Sequence, residues 1–538
     1  MRNQLAGIGV ALATAIIFAS SSAQTLAAEA TLINAAESGD LATARKLLAA
    51  GQDARARGAD GSTALMWAAY YGDAELVQEL IDAGADVSVE NEFGTTALAE
   101  AAIIGSTPII ESLLAAGVDP NSTNPEGETA LMVVARTSNT EAAALLLAAG
   151  ADVNAQEAWG SQSALMWAAA QSQADMVQLL AEAGADVNAR GVVRQWARKT
   201  ITEPRPKDMN KGGFTPLLYA AREGCIECAR HLLAAGADPD LADPERVTPL
   251  NLALLNLHFD FAVFMIEAGA DLNKWDLFGR TPIYLAADMH TLPTKGNGAM
   301  AVIPSLDHHT ALDVAKLLLE SGANPNLQLK RRPPYRDVPQ DRGGDTILAQ
   351  GATPLLRAAR AGDGDFVKLL LQHGALVDLP SKEGVTPLMA AAGVEYGLRV
   401  TRGRNRSEAG VLATLQLLVD AGADINARMI AEPTRSAFGT GGVRQRNFRY
   451  QGRDRQVPSP QALPHRTALH GAALKGFNSI VEFLVANGAE LEAKDANGRT
   501  PLELAMGFYD QDFLRQAAEP NVETVALLES LIAANGKP

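Results

Sequence analysis

Short apolar stripes alternate with polar punctuation along this chain, and the pattern repeats. Residues 61–92, GSTALMWAAYYGDAELVQELIDAGADVSVENE, read as two short amphipathic helices. The stretch 353–383 supplies the detail. Thr353 is placed to cap a first helix, and Pro354 suits its first turn, where no amide donor is lost. Leu355, Ala358 and Ala359 fall on one side at helical spacing, and the alanines let a neighbour approach closely. Gly362 ends this helix, Asp363 or Asp365 caps the next, and Phe366, Leu369 and Leu370 form its buried stripe. Gly374 permits a left-handed turn into the link that follows.

The same unit recurs, marked by TAL, TPL or a close variant at Thr63, Thr96, Thr129, Ser163, Thr215, Thr248, Thr281, Thr353, Thr386, Thr467 and Thr500. A degenerate copy, TLINAAESGDLATARKLLAAGQD, precedes them and brings the number to about twelve. No single copy can cover its own apolar stripe, so stability must come from stacking. Composition agrees: 538 residues are too many for one ordinary core, and 5% aromatic content favours small, closely stacked helices.

These residues carry a resemblance to the ankyrin-repeat family, whose pattern is G-x-T-P-L-H-x-A-A-x-x-G followed by a leucine-rich helix and G-A-D-x-N. Gly84-Ala85-Asp86, Gly150-Ala151-Asp152 and Gly422-Ala423-Asp424 match its closing turn, and the match extends over most of the chain after residue 28. The resemblance implies an all-α ankyrin-repeat solenoid with enlarged finger loops. Residues 28–189 would hold copies one to five, 212–329 copies six to eight, 351–427 copies nine and ten, and 466–538 copies eleven and twelve. Basic insertions would occupy 190–211, 330–350 and 428–465. The motif histidine survives only at His470; Met66, Met132, Met166, Leu218 and Met389 stand in its place. The second half also resembles a type of exported bacterial ankyrin protein, which brings no activity with it.

In this family the residue after T-P-L-H faces a concave groove. Carried over, that row is Asn34, Trp67, Glu100, Val133, Trp167, Tyr219, Leu252, Leu285, Arg357, Ala390, Gly471 and Leu504, with Tyr70 and Tyr71 beside the first tryptophan. Rings at one motif position imply a protein partner, the alternative being that they pack on a neighbouring finger or helix.

Charge separates the insertions from the body. The stretches 190–211, 330–345, 395–409 and 428–466 together carry +15 in a chain of net −16, which leaves the rest near −31. That balance argues against nucleic acid as the main partner. Arg194, Trp196 and Arg198, then Arg331 and Arg332 ahead of Tyr335, then Arg444, Arg446, Arg449 and Arg453 around Phe448 and Tyr450, interleave cations with rings. Such arms suit an anionic partner: an acidic protein surface, an anionic polysaccharide or lipid head groups. Folding back onto the acidic body is the alternative.

Residues 1–23 read as a secretory signal peptide, with Arg2, an apolar run from Leu5 to Ala19 and a cut after Ala23. The expected location is therefore periplasmic or secreted, with no stable membrane span, and the expected state a monomer. Cys225 and Cys228 form a C-x-x-C at the start of a second helix, where a local disulfide and two partly buried thiols are both open and redox exchange is an alternative function. His308 and His309 suit a solvated loop better than a metal site. No catalytic constellation, metal site or cofactor motif stands out. The reading is a non-enzymatic protein-interaction scaffold, with a redox accessory or an anionic-polymer binder as alternatives.

Overall fold

The computed structural model describes residues 31–194, 212–290, 305–331, 333, 347–348, 350–394, 407–430, 465–507 and 520–535. Among them are twenty-four α-helices, from Leu32–Glu37 to Val522–Asn535, in twelve consecutive pairs, and no β-strand beyond isolated bridges. The chain divides into one unit of residues 1–125, with copies one to three, and a second of residues 126–538, with copies four to twelve. Within each unit, first helices pack on first helices and second helices on second helices.

Local chemistry sets the helix ends. The Thr353 hydroxyl accepts from the Leu356 amide at 3.0 Å, and Thr63, Thr96, Thr129, Ser163, Thr215, Thr248 and Thr386 repeat the cap. A cap of this kind stabilises by about 1 kcal/mol. Asp363, not Asp365, caps the following helix by accepting from the Phe366 amide. Its stripe is Phe366, Val367 and Leu370, all fully buried, while Leu369 is only half-buried.

Two ladders join successive copies in the second unit. At the closing turn, the Asn154 amide donates to the Gly184 carbonyl and accepts from the Asp186 amide at 2.8 Å. Asn188, Asn326 and Asn426 do the same to Gly236 and Asp238, Gly374 and Leu376, and Gly488 and Glu490. At most finger tips a backbone bond joins one finger to the next, as in Leu277 N–H to Glu245 O and Lys330 N–H to Phe278 O, both 2.8 Å. The finger backbones lie so close that a Cβ at Gly279 would collide with the Lys330 amide. The position two residues before the capping Thr or Ser has positive φ in all eleven copies that have it: glycine fills it in eight, and Ser161, Arg246 and His465 in the others. A side chain in this conformation costs about 1 kcal/mol.

Asp378 occupies the asparagine position of copy nine. It accepts from the Asp424 amide but cannot donate onward, and burial, with help from the Asp424 charge, raises its pKa. A raised carboxyl pKa means a cost to stability that is present above the folded pKa and relieved as pH falls through it. Asp378→Asn should therefore raise the thermal midpoint at pH 7, by about 1 kcal/mol of stability, and the gain should shrink on acidification; calorimetry at pH 7 and pH 4 measures both.

His470 keeps the histidine of the family pattern. Its Nδ1 accepts from the Thr467 amide at 3.1 Å, so its Nε2–H donates to the Arg499 carbonyl at 3.1 Å and the ring is neutral. Burial pushes its pKa down to about 4, against the opposing pull of that carbonyl and of Asp495. The contribution of the neutral ring is present above the unfolded value near 6.5 and lost as pH falls toward the folded one, up to about 3 kcal/mol. Amide-exchange protection in 465–507, referred to the intrinsic rate at each pH, should fall between pH 6.5 and 4, and His470→Met, the residue of copies two, four, five and ten, should remove that share of the dependence.

Candidate interaction surface

The ridge of first helices carries two kinds of position in each copy: the row of Trp67 and the residue three further on. In the first unit this ridge is open. Trp67 is half-buried and meets Tyr70 edge-on at 5.8 Å; Tyr70 meets Tyr71 edge-on at 5.0 Å. Tyr71 is tied backward, its hydroxyl donating to the Glu37 carbonyl at 3.0 Å and its ring lying against Gly39. Tyr70 has no such tie among the described residues and is 46% exposed; Ile103 and Ile104, at the equivalent positions of the next copy, are 62% and 43% exposed. Glu100 is half-buried, and the loss of water around its carboxyl raises its pKa.

In the second unit the ridge is partly occupied by its own chain. Trp167 lies under the Arg136 guanidinium, 4.1 Å from ring centre to Cζ, and Arg136 is also paired with Glu128. The indole Nε1 is enclosed and has no acceptor among the described residues. Tyr219 accepts from the Gln162 amide, meets Phe214 edge-on at 5.4 Å and has Arg222 at 5.0 Å; burial raises its pKa. Val133 and Leu252 are half-buried. Trp67 and Trp167 therefore share the ALMWAA context but not the environment: one heads an aromatic cluster, the other sits beneath a cation.

From copy eight onward the ridge closes, and two expected contact residues are corrected. Leu285 is fully buried and Arg357 is 2% exposed. The first helix of copy eight continues through His290, which places Asp288 against Arg357 at 2.7 Å and His290 against Asp363 at 2.6 Å. Arg360 turns to the Val394 carbonyl at 3.0 Å. Ala390, Gly471 and Leu504 are buried as well, Gly471 directly beneath Val394. The sequence signal for this is the acid at Asp288, three positions beyond Leu285 and one copy before an arginine, which a single motif position does not reveal.

Of the basic arms, Arg194 is exposed and donates to the Trp159 carbonyl at 2.8 Å, and Arg331 is exposed. Trp196, Arg198, Arg332, Arg444, Arg446, Arg449 and Arg453 lie outside the described residues. Cys225 and Cys228 are disulfide-bonded. Cys225 is also the N-cap of its helix, its Sγ accepting from the Cys228 amide at 3.2 Å, the role that Asp40, Asp73 and Asn139 play elsewhere. His308 and His309 converge on Asp260, whose carboxylate accepts from both backbone amides and contacts both Nδ1 atoms; these bonds hold its pKa well below the usual range against the opposing effect of burial. They latch the loop to the second helix of copy seven, and no group able to hold a metal occurs among the described residues. Nor, among those residues, is any helix long and apolar enough to cross a membrane.

This arrangement defines a protein built of stacked helical repeats. The family of ankyrin repeats (3 copies) matches residues 32–124, 98–191, 217–329 and 307–429, and the single ankyrin repeat matches 465–496. The chain belongs to the ankyrin-repeat family, which implies a protein-interaction scaffold. It is 28% identical over 325 residues to the Homo sapiens ankyrin repeat and SOCS box protein 16, covering 60% of this chain and 52% of that protein. It is 32% identical over 315 residues to the Mus musculus B-cell lymphoma 3 protein homolog, covering 58% and 52%. Against the Escherichia coli (strain K12) ankyrin repeat protein YahD it is 29% identical over 193 residues, covering 32% of this chain and 87% of that one. The chain thus spans about half the length of the first two relatives.

Arg357→Ala should leave Asp288 buried beside a lost partner and destabilise copies eight to ten by about 3–5 kcal/mol. Denaturant melts of the two proteins measure it; a change below about 1 kcal/mol would mean that Arg357 behaves as a surface residue after all.

Proposed function

We propose that this protein is a non-enzymatic scaffold that works outside the cytoplasm and grips a protein partner along the open ridge of its first copies. The carrying observation is the exposed apolar row Tyr70, Ile103 and Ile104 beside the half-buried Trp67. Single exposed apolar residues need no explanation, but several at equivalent positions of adjacent copies make one contiguous strip. Aromatic anchors in such strips account for much of the affinity of protein interfaces. Export is supported by the leader-like residues 1–23, and the Cys225–Cys228 bond suits an oxidising compartment. The closed ridge of copies eight to ten is not part of this contact surface.

A photoreactive phenylalanine analogue at Ile103 should crosslink the partner in cell-envelope extract, and the same group at Gln78, on a second helix of the same unit, should not. Adding Trp67→Ala and Tyr70→Ala should abolish the Ile103 adduct while circular dichroism stays unchanged. Equal crosslinking from both positions, or an adduct indifferent to the ring substitutions, would remove the ridge as the binding site.

A further inference from the structure

The finger tips around copies seven and eight bring two cations onto one ring. Trp275 is half-buried; the Arg246 Cζ lies 5.4 Å from its ring centre and the Lys330 Nζ 5.7 Å. Both cationic side chains are exposed, and neither has an ion-pair partner among the described residues. The nearby acids are otherwise engaged. Asp276 is buried and bonded to Arg280 at 2.6 Å, Asp243 is buried and accepts from the Glu245 and Val247 amides, and Asp240 is 3.5 Å from Lys274. Arg331 follows Lys330 on the same exposed finger.

Arg246 also stands where eight other copies have glycine, at φ +64°, so the turn itself would be better served by glycine. Two like charges against one indole repel each other, and an anion between them removes that repulsion. The indole offers a flat apolar floor for methylene groups. A glutamate fits both features, with its methylenes on Trp275 and its carboxylate shared by the guanidinium and the ammonium. Two or three cations make too short a track for a long polyanion, whose binding draws on many.

We infer that Arg246, Trp275 and Lys330 form a docking site for an acidic segment of a protein partner. This rests on the scaffold reading above but concerns a different surface. The test is a titration of the full chain with a fluorescein-labelled ten-residue glutamate-rich peptide, followed by anisotropy at low and moderate salt. Binding should weaken with salt. Arg246→Gly and Lys330→Gln should each weaken it about three- to five-fold, and together remove it. Arg246→Gly should at the same time leave the thermal midpoint unchanged or raised, which separates lost binding from lost folding. Unaltered peptide affinity in the double variant overturns the inference, as does a double variant that loses a sulfated oligosaccharide but keeps the peptide. The Ile103 crosslink reports on the ridge alone, so either reading can fail without the other.

Discussion

The side chain two residues past the Gly-Ala-Asp turn is the constraint on which stacking in the second unit depends. It is asparagine in copies four, five, seven, eight and ten and aspartate in copies six and nine, and each accepts a backbone amide of the next copy. One side-chain amide accepts from the backbone of the next copy and donates to it, as Asn154 does to Asp186 and Gly184. Two directed bonds from one planar group fix both the spacing and the rotation between copies. With the register fixed, the alanines of adjacent first helices meet, and the finger backbones fall close enough to bond.

That register explains where the chain tolerates insertions. Long departures from the repeat interrupt the fingers after copies five, eight and ten or the helix–helix turns of copies eight, ten and twelve, yet the ladder passes over them. Asn188 still reaches Gly236, 48 residues on, and Asn426 still reaches Gly488, 62 residues on. Stability in such an array is a sum of neighbouring interfaces, so loop length matters little where both flanking copies keep their contacts.

The ridge follows different rules, because its side chains are not needed for the register and pair with whatever the adjacent copy presents. A residue three positions beyond the groove row reaches forward onto the next copy's row: Arg136 onto Trp167, Asp288 onto Arg357. Where the two are complementary the ridge seals itself; where they are Tyr70 or Ile103 it stays available. Arg246 departs from local preference in the same spirit, a charged residue in a turn that elsewhere takes glycine.

The helix pairs, their caps, the turns and the number of copies were legible in the sequence, because each depends on partners a few residues away. Thr353 and Leu356, or Asp363 and Phe366, lie three residues apart. The fate of the candidate contact residues was not legible. Trp67 and Trp167 have the same neighbours in sequence, yet only the second has an arginine across the copy boundary. Arg357 looked like a groove residue until Asp288, 69 positions earlier, was brought against it. Sequence alone determined which segments fold into repeats, since capping and periodicity are local; the tertiary structure decided which ridge side chains remain open to a partner, since burial of a charge or ring is settled by the copy stacked against it.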